Sequence, residues 1–179
     1  MSSSPFVNGL TVLGLYLAQN AVHYALPEAP PALVLIGVVY IALYEGALAG
    51  AASGLLAGAL LELLAPGRFG PFIVPYTAAG LLTGLLSGQL FRDSLPTQVI
   101  LPAFWALFMT AGAHLSGGSM STDDPGTLAA LSQSIFSPGW LWTAVAAPLV
   151  FSVLRRLRPN PKRHGRRTLS GGWDGRHYR

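Results

Sequence analysis

GALAGAASGLLAGALLE, residues 46–62, repeats a glycine at every fourth position. The four are Gly46, Gly50, Gly54 and Gly58, and Ala and Ser fill most of the positions between them. In water this segment would make a poor helix, because each interior Gly costs about 0.5–1 kcal/mol relative to Ala. In lipid, a ridge without side chains lets two helix backbones approach closely and gain van der Waals contact. The stretch therefore predicts a transmembrane helix that packs through its glycines.

A second glycine series follows in AGLLTGLLSG, residues 79–88. Its members are Gly80, Gly84 and Gly88. Two such ridges predict two membrane helices that are pressed together, or that each press against another helix or a partner. A sliding contact used for gating is the alternative function of the same pattern.

The composition indicates an integral membrane protein. Of the 179 residues, 51% are hydrophobic and only 10% are charged, whereas a soluble domain carries about 25% charged residues. Nine of the eleven Lys and Arg lie from Arg155 onward. We therefore expect a transmembrane domain at residues 1–154 and a basic, disordered cytoplasmic tail at residues 155–179.

A membrane span needs about 20 apolar residues, and the chain offers about six. The apolar run from 32 to 65 has 34 residues, too long for one crossing, and it is expected to form two short helices that break around residues 44–46. The other spans are predicted at 6–26, 72–91, 95–115 and 135–154. The predicted fold class is an all-α polytopic membrane protein. Five helices, with the N-terminus outside, remain the alternative.

The basic tail fixes the expected orientation, because positively charged segments stay cytoplasmic. Six helices then put the N-terminus and the turn at Glu45 inside as well, with Glu45 a solvated turn residue. We expect the tail to lie against anionic lipid head groups. The basic side chains assigned to this contact are Arg155, Arg156, Arg158, Lys162, Arg163, Arg166 and Arg167.

Polar residues end several predicted helices on the outer side of the membrane. They are Asn20, His23, Glu62, Tyr76 and His114. A carboxylate in lipid is costly, so Glu62 is expected to face the bundle interior or water and to find partners. One interpretation is a polar cavity open to the outside. The other is structural: Glu62 reaches the interface and pairs with Arg68, while the His and Asn side chains bond to backbone carbonyls.

The sequence carries no motif for catalysis or for binding a cofactor. It has no Cys, no nucleophile–base pair and no phosphate-binding glycine loop, because its glycines are spaced for helix packing. No His spacing suits a metal site. The expectation is a non-enzymatic protein without a cofactor or a metal, and with no nucleic acid as a partner.

Residues 26–90 carry a series of features in a defined order. A proline-led apolar helix comes first, then a Gly-x3-Gly-x3-Gly-Leu-Leu helix that ends in an acid, a glycine-containing loop, a Tyr and a second glycine-rich helix. The positions are Gly46, Gly50, Gly54, Leu55, Leu56, Glu62, Gly70, Tyr76, Gly80 and Gly84. This segment resembles the core of the rod shape-determining protein MreD family. The family usually has Asp where this chain has Glu62, and its tail is normally shorter.

The resemblance implies a membrane scaffold of the bacterial cell-elongation machinery, in the inner membrane with a cytoplasmic C-terminus. Its implied partners are an MreC-like bitopic protein and, indirectly, the peptidoglycan glycosyltransferase and transpeptidase of the elongation complex. The glycine helices and the six-helix plan are also similar to the substrate-binding S-components of energy-coupling-factor vitamin transporters. An S-component-like bundle is therefore expected, and a vitamin-binding transporter subunit that uses the outer polar residues as its ligand site is the alternative function.

Overall fold

A computed structural model of the chain describes residues 5–25, 31–64, 72–89, 94–117 and 138–157. Within these ranges the protein is all-α, with six helices and no strand. The helices are α1 (Pro5–Ala25), α2 (Leu33–Glu45), α3 (Ala47–Leu64), α4 (Ile73–Leu86), α5 (Leu95–Gly117) and α6 (Pro138–Leu157). Their number and order agree with the prediction. α4 ends five residues before the predicted Phe91 and passes into a turn at residues 87–89.

The long apolar run divides where the sequence predicted. α2 ends at Glu45 and α3 begins at Ala47, with Gly46 between them at a φ of +97°. This left-handed conformation is strained for a residue with a side chain and open to glycine. The Gly46 N–H still donates to the Ala42 carbonyl at 3.0 Å. The chain therefore turns from α2 into α3 without leaving this backbone donor unpaired.

α2 lies at the centre of the bundle. All eleven residues from Leu33 to Leu43 are buried, and α2 contacts each of the other five helices. A helix that is apolar on every side must be shielded from water, and the other five helices provide this shielding for α2. Its 13 residues rise about 20 Å. Phe151 from α6 packs edge-on against Tyr40 of α2, with ring centroids 5.3 Å apart.

The outward faces of the surrounding helices are strongly apolar. Large side chains point away from the bundle on all five, with exposed fractions from 56% for Phe104 to 87% for Leu48 and with Leu17, Leu85 and Leu149 between them. By length and hydropathy, one helix in the described ranges, Gly139–Leu157, meets the requirements for crossing a membrane. The remaining apolar segments that fall below the length limit are Leu33–Glu45, Ala47–Leu63, Ile73–Leu86 and Leu95–Thr110.

Candidate functional site

α3 and α4 meet backbone to backbone through five of the predicted ridge glycines. A Cβ atom added to any of the five would lie closer than 3.0 Å to backbone atoms of the facing helix. They are Gly50, Gly54 and Gly58 on α3, and Gly80 and Gly84 on α4. Real Cβ atoms do not approach backbone this closely, so the two helices can sit at this distance only because these positions lack side chains. We call this surface the glycine contact.

The order of the pairs across the glycine contact gives its direction. Gly50 faces Gly80, Gly54 faces the carbonyl of Tyr76, and Gly58 faces Ile73. Residue numbers fall along α4 as they rise along α3, so the two helices are antiparallel. This direction is the one required of consecutive helices joined by a short connection.

Gly46 and Gly88 differ from the other five glycines. A Cβ added to either would meet no atom within 4 Å. The backbone of Gly46 lies beside Gly84, but its glycine is required by its positive φ at the α2–α3 turn rather than by close packing. Gly88 is exposed in the turn after α4. Each of the two predicted glycine ridges therefore includes one glycine that does not take part in the close contact: Gly46 in the first and Gly88 in the second.

Glu62, near the end of α3, caps the start of α4. Its Oε1 atom accepts hydrogen bonds from the backbone N–H groups of Phe72 and Ile73, at 2.8 and 2.9 Å, and the residue is only 6% exposed. The first N–H groups of a helix have no partner inside the helix and carry partial positive charge, so a carboxylate is well matched to them. The acid thus joins the two helices of the glycine contact at one end. Arg68, its expected partner, lies outside the described residues.

Four of the five predicted outer polar residues have described side chains. Tyr76 is buried, and its backbone lies against Gly54 in the glycine contact. Asn20 and His23 are exposed on α1, which packs on α2 and α3. Asn20 donates to the Tyr16 carbonyl within its own helix at 2.9 Å, which agrees with the structural interpretation. His114 belongs to α5, but its side chain lies outside the described residues.

The start of α2 is capped by side chains from two other helices. Val34 N–H donates to Oε1 of Gln19 from α1, and Ala32 N–H donates to Oγ1 of Thr143 from α6, each at 3.0 Å. Neither cap was predicted from the sequence. The available signal was Ala32 itself, since an alanine that precedes a helix offers no capping group and the cap must come from elsewhere.

A side-chain hydrogen bond also joins α5 to α4. Trp105 Nε1 donates to Thr83 Oγ1 at 3.0 Å, and both residues are buried. Thr83 stands one position before Gly84 of the glycine contact. The bond to α5 therefore holds α4 beside the face that meets α3.

Polar groups also meet at the other end of the bundle, where α1 begins and α2 ends. Asn8 Nδ2 donates to Glu45 Oε2 at 2.6 Å, with Asn8 only 8% exposed. The prediction that Glu45 is a solvated turn residue is therefore wrong: it is half-buried and bonded to a neighbouring helix. One residue before it, the Tyr44 hydroxyl accepts a hydrogen bond from Arg155 of α6 at 3.0 Å.

A groove of about 330 Å³ runs between α1 and α3 from this end. Its polar wall comes from Asn8, Glu45 and Ser53, and its apolar wall includes Leu48, Ala52 and Leu56. Ser53 is buried and donates to the Gly50 carbonyl at 2.9 Å. The groove therefore joins a carboxylate and an amide at one end to an apolar channel at the other.

Only the first part of the predicted basic tail is described. Arg155 and Arg156 are exposed in the last turn of α6, where cations are favourably placed near a helix C-terminus. The other assigned residues, which are Arg158, Lys162, Arg163, Arg166 and Arg167, lie outside the described residues.

Within the described ranges, no three His, Cys, Asp or Glu residues are grouped so that they could hold a metal ion. The described residues show close helix packing, capped helix starts and a groove with a polar and an apolar wall. In comparisons with known proteins, no protein-family model, no curated protein and no solved structure matches the chain.

Proposed function

We propose that this protein is a polytopic membrane protein in which α2 is enclosed and the other five helices face lipid. The support is the outward surface, which carries large apolar side chains on every one of those five helices. Soluble monomers rarely expose contiguous apolar patches above a few hundred Å². The low charged fraction of 10% agrees with this assignment.

The capped helix starts support the same proposal. A bilayer core contains no water to bond to free backbone groups, so each helix start inside it needs a protein partner. α2 and α4 have 13 and 14 residues, or about 20 and 21 Å, against a hydrocarbon core of about 30 Å. Both begin with backbone N–H groups bonded to side chains of other helices. Helices that begin below the membrane surface require this arrangement.

We further propose that the protein is a non-enzymatic scaffold of the bacterial cell-elongation machinery, similar to MreD. One observation carries this proposal: six of the ten positions on which the resemblance rests belong to one structural unit. Gly50, Gly54, Gly80 and Gly84 form the glycine contact, Glu62 caps its end, and the Tyr76 carbonyl lies against Gly54. A motif that corresponds to a contact and its cap is a stronger resemblance than glycine content alone.

In this function the glycine contact keeps α3 and α4 as a rigid pair, and their outer faces are available to a bitopic partner similar to MreC. The glycosyltransferase and transpeptidase of the elongation complex would be reached through that partner. The protein would lie in the bacterial inner membrane with a cytoplasmic C-terminus, where its basic tail contacts anionic lipids.

The test is depletion of the protein in its rod-shaped host, followed by complementation and by purification of a tagged copy from native membranes. We expect cells to become round and to recover with the wild-type gene, and an MreC-like protein to co-purify. Gly54→Leu is expected to reduce recovery of the complex more than Glu62→Gln. Gly14→Leu is the matched control, because a Cβ at Gly14 meets no atom within 4 Å. Normal rods after full depletion would refute the scaffold function.

The transporter alternative depends on a ligand site made by the outer polar residues. Two of them, Asn20 and His23, are exposed on α1, and Asn20 bonds to a carbonyl of its own helix. A stoichiometric vitamin bound to the purified protein would establish it in place of the scaffold.

A further inference from the structure

The groove between α1 and α3 has the dimensions of a lipid-binding site. Its residues on α3 extend from Leu48 to Leu56, eight positions that correspond to about 12 Å along the helix, and Glu45 lies at the end of α2. Its volume of about 330 Å³ falls at the lower end of the range for small-molecule sites, about 300–1,000 Å³. Leu48 and Leu56, on its apolar wall, are 87% and 52% exposed, so the groove opens sideways onto the outer surface of the bundle.

The polar end of the groove lies at the level expected of lipid head groups. Glu45 adjoins Tyr44, whose hydroxyl bonds to the exposed Arg155 at the end of α6. Tyr and Arg side chains at helix ends favour the membrane–water interface, where amphipathic and cationic groups reach water. From that level the apolar wall continues toward the bilayer centre. The groove therefore offers a polar end for a lipid head group and an apolar wall for the acyl chain that follows it.

The chemistry of this end selects a donor with positive charge. Glu45 contributes a carboxylate, whose two oxygens together offer several acceptor positions, one of which takes the hydrogen bond from Asn8 Nδ2. The Oδ1 atom of the same Asn8 is buried and has no hydrogen-bond partner among the described residues. Both groups accept hydrogen bonds, so a primary ammonium, with three N–H donors, suits this wall. A phosphoglycerol head group, which brings only negative charge and hydroxyls, would be repelled by the carboxylate.

We propose that the groove between α1 and α3 binds phosphatidylethanolamine, with its ammonium group at Glu45 and Asn8 and an acyl chain along Leu48 and Leu56. This inference rests on the membrane location proposed above and does not depend on the scaffold role. Phosphatidylethanolamine is selected over its N-methylated analogue, phosphatidylcholine, because quaternary nitrogen has no N–H to donate.

The experiment measures lipid binding to the full-length protein in detergent micelles by native mass spectrometry. Matched chain lengths of phosphatidylethanolamine, phosphatidylcholine and phosphatidylglycerol are added one at a time. We expect phosphatidylethanolamine to bind at least about tenfold more tightly than the other two, since hydrogen bonds to a charged group are the strong ones. Glu45→Gln keeps an acceptor for Asn8 and is expected to abolish that preference.

A second pair of variants tests the channel rather than the charge. Ala52→Leu fills the groove and is expected to weaken binding of phosphatidylethanolamine about tenfold. Ala18→Leu, at an exposed position of α1 outside the groove, is expected to leave it unchanged. Thermal unfolding of each variant shows whether it is folded.

The outcomes separate this inference from the membrane assignment. Equal binding of the three lipids, or an unchanged preference in Glu45→Gln, overturns the lipid site. Loss of a co-purifying membrane protein in Ala52→Leu, with lipid binding intact, also overturns it and assigns the groove to a partner helix. Release of the wild-type protein from membranes by alkaline carbonate contradicts the membrane location itself, whereas retention with equal lipid binding contradicts only the site.

Discussion

The substitution Gly54→Ala tests the glycine contact with a single added carbon. A Cβ at this position would lie closer than 3.0 Å to the carbonyl carbon and oxygen of Tyr76 and would reach the Cα of Thr77 at 3.0 Å. All three atoms belong to backbone, so no side chain can rotate to make room. α3 and α4 must separate or the substituted helix must shift. We expect the folded state to lose stability and the chain to retain its helices.

The expected magnitude follows from two opposing effects. Inserting a carbon into a well-packed contact costs about 1–3 kcal/mol. Replacing an interior helix Gly by Ala contributes about 0.5–1 kcal/mol in the other direction. Gly14→Ala, exposed on α1 with nothing within 4 Å of its added Cβ, retains only the second effect. The free energies of unfolding of the two variants should therefore differ by about 2 kcal/mol, which corresponds to about thirtyfold in the folding equilibrium.

The assay is equilibrium unfolding of the purified protein in mixed micelles with increasing dodecyl sulfate, followed by tryptophan fluorescence and circular dichroism. Four tryptophans supply the signal, and Trp105, bonded to Thr83 next to the glycine contact, is the closest reporter in the described residues. Equal stability of Gly54→Ala and Gly14→Ala would refute the claim that bare backbone is required between α3 and α4.

Further variants probe the contact and the caps in the same unfolding assay. Gly50→Ala and Gly80→Ala are each expected to destabilise, and together to cost at least 0.5 kcal/mol less than their sum, because each added Cβ meets the other's carbonyl and one separation accommodates both. Glu62→Ala removes the acceptor at the start of α4 and is expected to cost about 1–3 kcal/mol. Thr143→Val removes the acceptor at the start of α2 and should cost a similar amount. Trp105→Phe removes its buried bond and should cost about 0.5–1.5 kcal/mol.

Conservative variants serve as controls for the two caps. Glu62→Gln retains an amide oxygen and Thr143→Ser retains the hydroxyl, so each should lose less stability than the variant without an acceptor. If Gln and Ala at position 62 were equally destabilising, charge or packing rather than the hydrogen bonds would explain the role of Glu62. If Thr143→Val were as stable as the wild-type protein, the start of α2 would not depend on α6.

Local patterns in the sequence were sufficient to predict the helices and the α2–α3 break. Hydropathy identified the apolar runs, and Gly46 beside the charged Glu45 identified the break. Both signals depend only on residues that are close together in the sequence. The spacing of Gly50, Gly54, Gly80 and Gly84 also indicated close helix packing. Periodicity identifies the bare face of a helix, although it does not name the helix opposite. The pairing of α3 with α4 needed the structure.

Side-chain partners far apart in the sequence could not be predicted in the same way. Thr143 bonds to Ala32 across 111 positions, and Asn8 bonds to Glu45 across 37. Each of these polar residues is compatible with a solvated helix end when it is considered alone. The central position of α2 had only a partial signal, because a helix without a polar side must avoid water, which either a bundle or lipid provides. The outer polar cavity stays a prediction: it was inferred from residues at similar depth, and depth alone does not determine the direction in which a side chain points.

The enclosure of α2 has a consequence for the biogenesis of the protein. Translation produces α2 second, yet the hydroxyl that accepts from the Ala32 N–H, just before α2, belongs to α6, the last helix in the described residues. Until α6 is made, this N–H lacks that acceptor. In the proposed membrane location the bundle closes only when α6 docks, so a chain stalled after α5 would present an open bundle to quality-control proteases.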